Sequence, residues 1–332
     1  MARKMDMKRL ENFQGWIPVR CYWQEKQAFV DWGFLGKERL TEPFFDDSIA
    51  KRFWQPFNLL FRHQTPIEFL DELNNSSSGL KPTGFIFHLS RCGSTLISQM
   101  LAALEQNVVI SEASPIDFVL RASKLPEELR VKWLRNIINA LGQKRNPFEK
   151  NFFIKFDSWN TSELDLIKRA FPEVPWIFLY RKPVEIIVSH IKQRGAQMVP
   201  GLLGEIIPEL SFNKSLQIST EEYCARVLGE ICKNPLESLK NGEGLAVNYS
   251  ELPDAMNDKI MKHFNISLNR NDLEKMSATA KFNAKSPQIN FTDDSETKKR
   301  EAGAAAVQAA EKFVNPYYRE LENIRKNLPE GA

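Results

Sequence analysis

The run Ser90-Arg91-Cys92-Gly93-Ser94-Thr95-Leu96 has the clearest chemical potential in this chain. It follows a short apolar run, 84–89, that is typical of a strand, and it leads into a helical segment, 94–104. A strand that turns at once into a helix leaves several backbone N–H groups without helical partners, and the helix dipole favours an anion beside them. Gly93 permits close approach of the backbone, and Arg91 adds a planar cation suited to phosphate or sulfate. We therefore predict an anion-binding loop formed by Arg91, Cys92, Gly93, Ser94, Thr95 and Leu96.

The loop lacks the features that bind a nucleoside triphosphate. Such a P-loop has the pattern G-x-x-x-x-G-K-[ST], in which the Lys contacts the β- and γ-phosphates and the Ser or Thr binds magnesium. Here there is one glycine, no Lys follows it, and the basic residue Arg91 precedes it. Hydrolysis of ATP or GTP is therefore not expected. The alternative role for this run is structural, a helix that Ser94 caps after a glycine turn.

A second candidate anion contact lies about 90 residues further along the chain. The strand-like run 176–180 ends at Arg181, and Pro183 suits the first turn of a following helix. Ser189 lies two turns into that helix, where it and Arg181 are placed to converge on one anion. Taken singly, Arg181 is better explained as a surface ion pair and Ser189 as a solvated helix position. The two motifs together, each following a strand, point to a ligand.

These motifs resemble those of the sulfotransferases that use 3′-phosphoadenosine 5′-phosphosulfate (PAPS), and the protein-tyrosine and bacterial carbohydrate branches are the most similar. In that family a [K/R]-[S/x]-G-[T/S]-[T/S] loop cradles the 5′-phosphosulfate. The run from Arg91 to Thr95 matches it, with Cys92 where Ser is more common. A strand-end Arg and a Ser eight residues later hold the 3′-phosphate, which implies that role for Arg181 and Ser189. The resemblance covers about 84–249 and implies an enzyme with PAPS as its sulfuryl donor.

Sulfuryl transfer also needs a base for the proton of the acceptor. Glu112 is the first candidate because it follows the strand-like run 107–110 at its carboxyl end, 21 residues after Arg91. The stretch between them resembles the one that joins the phosphosulfate loop to the catalytic Glu in protein-tyrosine sulfotransferases. The alternative role for Glu112 is to stabilise the N-terminus of a helix that begins near Pro115.

Lys155 and Asp157 lie at the end of the strand-like run 152–156. The family resemblance implies that Lys155 contacts the bridging oxygen or the sulfuryl group, where it offsets negative charge as the bond breaks. Asp157 is the second candidate for the base, since it matches the position of a His in the cytosolic branch. The alternative is an exposed Lys155–Asp157 ion pair, worth about 0–1 kcal/mol.

Other polar residues carry weaker expectations. His88 lies in an apolar strand and reads as a core histidine, and His190 should lie about 100° around the helix from Ser189. Basic residues at 285 and 298–300 resemble a family loop over the 3′-phosphate only in general, and a solvated charged turn is our preferred interpretation. The spacing of His, Cys, Asp and Glu matches no metal site, so we predict no metal.

The pattern of elements predicts an α/β fold. Strand-like runs at 84–89, 107–110, 152–156, 176–180 and 245–248 alternate with helical segments. This alternation indicates a doubly wound central parallel sheet flanked by helices, and the resemblance implies the P-loop NTPase-like sulfotransferase version of it. Ligands of such sheets bind at the carboxyl ends of the strands. One long helix is expected over about 301–321.

The N-terminal part differs in composition from the rest, because 14 of the 36 aromatic residues fall in the first 70 positions. We expect residues 1–75 to form an aromatic-rich layer of helices and loops packed on the core, or a wall over a substrate cleft. The polar run 74–79 reads as a linker. Residues 80–332 should form the sulfotransferase α/β domain.

Composition excludes several classes of protein. The chain has 332 residues, is 42% hydrophobic and 26% charged, and carries a net charge of +3. These values exclude a collagenous or disordered chain, and the charge is too balanced for bulk binding of nucleic acid or membranes. No apolar run is long enough for a transmembrane helix, and Met1–Asn12 does not read as a secretory signal. A cytoplasmic location is the expectation.

Two other functions stay open on the sequence. A nucleotide or nucleoside kinase-like phosphotransferase shares the layered α/β plan but requires magnesium and ATP. A non-catalytic nucleotide-binding module would keep the anion site without transfer. For the enzyme, the acceptor hydroxyl or amine could belong to a small molecule, a carbohydrate, a lipid or a peptide, because specificity in such folds lies in the loops.

Overall fold

The computed structural model of the chain describes residues 13–76, 79–204, 206–207, 210–290 and 295–327. The strands in these ranges are β1 (Trp16–Gln24), β2 (Gln27–Phe34), β3 (His63–Pro66), β4 (Gly84–His88), β5 (Asn107–Ser111), β6 (Asn151–Lys155), β7 (Trp176–Tyr180), β8 (Leu245–Asn248), β9 (Phe282–Asn283) and β10 (Ser286–Asn290). The α-helices span Phe45–Phe53, Pro56–Leu60, Phe69–Ser76, Ser94–Ala102, Ser114–Leu120, Glu127–Leu141, Leu164–Ala170, Pro183–Lys192, Phe212–Ser215, Thr220–Lys233, Leu236–Lys240, Met261–His263, Arg270–Ala280, Ser295–Arg300, Ala304–Phe313 and Asn315–Asn327. Short 3₁₀ turns include Ser158–Glu163, Ala196–Met198 and Tyr249–Glu251.

Five strands form a parallel sheet with the order β5-β6-β4-β7-β8. The first strand of this sheet along the chain is β4, which lies in the middle of the sheet. The later strands are added on both sides of it. This confirms the prediction of a doubly wound α/β fold flanked by helices. Every residue of β4, β5 and β7 is buried, as expected for parallel strands that are covered on both faces. Burial on both faces is the reason why these strands are continuous apolar runs in the sequence. Such runs predicted the bounds of the five strands to within one residue.

The chain divides into two compact units that alternate along the sequence. The first comprises Met1–Thr83, Leu101–Lys155 and Leu166–Val174. The second comprises Gly84–Met100, Phe156–Asp165 and Pro175–Ala332.

In the first unit, the aromatic-rich N-terminal segment forms an antiparallel sheet with the order β1-β2-β3. The expectation of helices and loops alone is therefore corrected. Strands β1 and β2 pair from Trp16 with Phe34 to Gln24 with Gln27, so that only two residues form the turn. Glu25 in this turn has φ +55°, the left-handed conformation that two-residue hairpin turns require. Aromatic and β-branched residues favour such half-buried strands, a signal that the aromatic count alone did not capture.

In the second unit, the C-terminal region contains two helices where the sequence predicted one over 301–321. They are Ala304–Phe313 and Asn315–Asn327, and the break falls at Val314. Pro316 explains the break, because proline has no N–H to donate and its ring clashes with the carbonyl four residues earlier.

Candidate active site residues

The loop between β4 and the helix that begins at Ser94 has unusual backbone geometry. Ser90, Arg91 and Gly93 adopt left-handed φ values of +70°, +49° and +87°. Left-handed residues that are not glycine cost free energy and concentrate at functional sites. Anion-binding nests are built from turns that include left-handed residues, and Gly93 is left-handed at the start of this helix. The expected strand–loop–helix arrangement is therefore present.

Gly93 is required at its position. A Cβ atom there would lie 2.7 Å from Leu252 Cδ1 and 3.0 Å from Tyr249 Cδ2, in addition to the strain of its positive φ. The helix makes its first hydrogen bond from Ile97 N to Gly93 O, at 3.2 Å. The N–H groups of Ser94, Thr95 and Leu96 thus precede the first helical hydrogen bond, as the sequence indicated.

The side chains of Arg91 and Cys92 point to different partners. Arg91 donates a hydrogen bond of 2.8 Å to the backbone oxygen of Gln193, at the end of the Pro183–Lys192 helix. Cys92 is fully buried, and its thiol donates to Leu179 O at 3.3 Å. Cys92 can therefore offer an anion only its backbone N–H.

Arg181 is buried rather than part of a surface ion pair. Its Nε atom donates to Glu185 Oε2 at 2.6 Å, and a second guanidinium nitrogen donates to Ser295 Oγ at 2.9 Å. The guanidinium also lies 4.1 Å from the ring centre of Tyr249. Ser189 is buried one helical turn beyond Glu185, so both project from one face of the helix. Arg181 and Ser189 are therefore both buried, and Glu185, which pairs with Arg181, lies on the same helix face as Ser189.

Tyr249 links the two motifs. Its ring contacts the Arg181 guanidinium on one side, and it lies close enough to Gly93 to exclude a side chain there. Tyr249 follows β8 directly, just as Arg181 follows β7. Sequence reasoning missed it, although the position after a strand's carboxyl end is the rule that selected Glu112.

The strands that precede Arg181 and Tyr249 are fixed by the last helix. Tyr180 Oη donates to Glu322 Oε1 at 2.7 Å, and Asn248 Nδ2 donates to the same oxygen at 2.8 Å. One carboxylate thus joins the carboxyl ends of β7 and β8. This link adds to the backbone ladder of the two strands, in which Tyr180 lies opposite Asn248.

The second unit holds a cluster of cationic groups near the loop. The pKa of His190 falls to about 3, because burial disfavours its charged form and because Arg91, Lys285 and Lys298 are positive. Lys298 is itself buried, and the helix that it belongs to begins at Ser295, the residue that accepts from Arg181. The interpretation of this segment as a solvated charged turn is therefore wrong for Lys298, although Lys285 is exposed.

In the first unit, Glu112 and Lys155 form an ion pair. Lys155 Nζ lies 2.5 Å from Glu112 Oε1, the Lys155 side chain is 1% exposed, and that of Glu112 is 23% exposed. The Lys155 ammonium also lies 4.9 Å from the centre of the Phe44 ring. The backbones are joined as well, because Glu112 N donates to Lys155 O at 2.7 Å. Glu112 has φ +56°, so its carboxylate is held next to Lys155 at a cost in backbone strain.

The chain adopts neither of the structural alternatives, which were a helix N-terminal role for Glu112 and an exposed Lys155–Asp157 ion pair. The helix near Pro115 begins at Ser114 with Ala113 as its N-cap, while the carboxylate of Glu112 pairs with Lys155. Asp157 caps the Ser158–Glu163 turn: its carboxylate accepts from the Asn160 N–H, and the Asn160 side chain accepts from the Asp157 N–H. Lys155 thus pairs with Glu112 instead of Asp157, and Asp157 has a structural use that weakens its candidacy as the base.

Two further expectations concern absent features. Within the described ranges, no group of three or more His, Cys, Asp and Glu side chains is arranged to hold a metal ion. The same part of the chain contains no helix with the length and apolar character to cross a membrane.

Comparisons with known proteins find matches among solved structures. No protein-family model and no curated protein sequence matches this chain. A sulfotransferase domain from the curacin biosynthetic pathway is similar, with 16% identity, 76% of this chain and 98% of that chain covered, and a TM-score of 0.45. Sulfotransferase STF9 from Mycobacterium avium is 13% identical over 80% of this chain and 82% of its own, with a TM-score of 0.44. A retinol dehydratase crystallised with androsterone and the inactive cofactor PAP is 14% identical over 80% and 87%, with a TM-score of 0.32.

Proposed function

We propose that the chain is a sulfotransferase that moves a sulfuryl group from PAPS to a hydroxyl or amine acceptor. The observation that carries the proposal is the left-handed loop Ser90–Gly93 at the start of a helix, together with buried Arg181 and with Tyr249 against both. The second unit thus has two sites with a cationic side chain, the loop with Arg91 and the pocket of Arg181. Two such sites suit a ligand with two separate anionic groups.

The donor would be held through its two ends. The N–H groups of Cys92 to Leu96, with Arg91, would bind the 5′-phosphosulfate, because a helix N-terminus and a planar cation both favour oxyanions. Arg181 and Ser189 would bind the 3′-phosphate, and buried Lys298 would add positive charge to that end of the nucleotide. The surroundings of His190 support this assignment: burial is the main cause of its lowered pKa, and the positive charges of Arg91, Lys285 and Lys298 lower it further.

PAPS supplies the sulfuryl group when it is bound. Glu112 would take the proton from the acceptor oxygen or nitrogen as that atom attacks. Lys155 would place a positive charge where negative charge develops on the leaving oxygen, which is worth most in a buried setting. The strained backbone of Glu112 supports a functional role, because a simple ion pair does not require a left-handed residue.

A kinase-like phosphotransferase is less well supported. The loop has no Lys after Gly93, whereas a nucleoside-triphosphate P-loop has a Lys there that contacts the β- and γ-phosphates. A non-catalytic binding module is distinguished only by the absence of transfer.

The test is transfer of radiolabel from PAPS to pools of sugar, lipid, peptide and small-alcohol acceptors. Wild-type protein should label at least one pool without magnesium, and Glu112→Gln should label it at a rate lower by about 10²–10⁴. Asp165→Asn, which changes a carboxylate on the Leu164–Ala170 helix, is the control and should retain full activity. A wild type that labels no pool, yet binds the desulfated nucleotide, would indicate a binding module.

A further inference from the structure

A buried polar network underlies the first residue of the anion-binding loop. Ser90 Oγ lies 3.1 Å from His190 Nε2 and 2.7 Å from Gln197 Nε2. All three side chains are buried. The contacts join residues that are about 100 positions apart in the sequence, so no local pattern reveals them. We call Ser90, His190 and Gln197 the Ser90 network.

The hydrogen bonds in this network have defined directions. The Gly195 N–H donates to His190 Nδ1 at 3.2 Å, so this nitrogen is the acceptor of the ring. A neutral imidazole that accepts at Nδ1 carries its proton at Nε2. His190 therefore donates to Ser90 Oγ, and the amide nitrogen of Gln197 donates to the same oxygen.

The two hydrogen bonds that the Ser90 hydroxyl oxygen accepts limit the role of its own proton. A serine hydroxyl has two acceptor lone pairs and one donor O–H. Because His190 and Gln197 use both lone pairs, the hydroxyl proton is left available for a third group. The backbone of Ser90 is fixed too, since its N–H donates to His88 Nδ1 at 3.1 Å and its φ is +70°.

We propose that the Ser90 hydroxyl is a further donor to the anion held by the loop, and that His190 and Gln197 are positioning residues that keep it a donor. This inference rests on the proposed function, because the anion is the 5′-phosphate or phosphosulfate of the nucleotide. Arg91 follows Ser90 directly, so hydroxyl and guanidinium belong to the same turn. A neutral His190 beneath the loop gives a hydrogen-bond donor without adding charge to the surrounding cations.

The closing experiment compares two ligands that differ only at the 5′ position. Adenosine 3′,5′-bisphosphate and adenosine 3′-monophosphate are titrated into the full chain by calorimetry. Ser90→Gly removes the hydroxyl and suits the left-handed backbone, and Ser90→Ala is the second variant. Both should weaken binding of the bisphosphate by about tenfold or more, the usual effect of a lost hydrogen bond to a charged group. Binding of the 3′-monophosphate should change by less than about twofold.

Variants of the positioning residue add a rescue test. His190→Leu removes the donor and should weaken binding of the bisphosphate, whereas His190→Gln places an amide N–H near the original Nε2 and should restore most of it. Ser98→Ala is the matched control, because the Ser98 hydroxyl is buried and already donates to Thr95 O at 3.0 Å. Thermal unfolding without ligand shows whether each variant is folded.

The outcomes separate this inference from the proposed function. If wild type binds the bisphosphate and both Ser90 variants bind it equally well, the inference is wrong and the proposed function stands. Equal losses for the two ligands would assign Ser90 a purely structural role and also refute it. If wild type binds neither ligand, the proposed function itself fails.

Discussion

The free energy of unfolding in acid should depend directly on the protonation of buried His190. Its pKa lies near 3 instead of 6.5, because of burial and the charges of Arg91, Lys285 and Lys298. Between these pH values the unfolded chain binds a proton at this position that the folded chain does not. The free energy of unfolding is therefore unaffected above about pH 6.5 and decreases as the pH falls towards 3. The slope for one proton is about 1.4 kcal/mol per pH unit.

The assay is urea unfolding of wild type and His190→Gln at pH 7, 6, 5 and 4. Other groups titrate in both proteins, so the difference between their unfolding free energies isolates His190. That difference should shift in favour of the variant by about 2–3 kcal/mol between pH 6 and pH 4. A difference that stays constant with pH would show that His190 titrates normally, and the argument for a neutral donor in the Ser90 network would fail. Adenosine 3′,5′-bisphosphate should reduce the slope, because it neutralises the surrounding cations.

Three substitutions test other parts of the site. Glu112→Gln should leave nucleotide affinity within about twofold in calorimetry. Because it leaves buried Lys155 unpaired, it should also lower the unfolding free energy by about 3–5 kcal/mol. Unchanged stability would contradict the ion pair. Gly93→Ala should abolish bisphosphate binding and lower the melting temperature, because its Cβ would meet Leu252; normal binding would refute the close approach. Arg181→Gln should weaken bisphosphate binding at least about tenfold but leave adenosine 5′-monophosphate binding within about twofold, and equal effects on both nucleotides would argue against a 3′-phosphate contact.

The fold was predictable because its signals are local. The five strands of the parallel sheet are short, continuous apolar runs, and such runs reflect burial on both faces. The loop from Ser90 to Leu96 was visible for the same reason, since the strand, the turn and the helix are contiguous in sequence. The hairpin of β1 and β2 was also locally encoded, but its two-residue turn contains Glu25 and Lys26 and lacks the glycine or asparagine that usually marks such turns.

The site depends on contacts that no local pattern reveals. Ser295 lies 114 residues after Arg181, and His190 lies 100 residues after Ser90, yet each pair is in hydrogen-bonding distance. Only tertiary folding brings these pairs together. One partner was accessible from the sequence: Glu185 is only four residues after Arg181 and lies in the first turn of the helix that follows.

The central claim is that the loop at Arg91–Leu96 and the Arg181–Ser189 pair bind the two anionic ends of one nucleotide. Calorimetric titration of wild-type protein with adenosine 3′,5′-bisphosphate, without magnesium, tests it most directly. One nucleotide should bind per chain, more tightly than either monophosphate and without competition from magnesium-ATP. Absence of heat and of thermal stabilisation at millimolar bisphosphate would contradict the account.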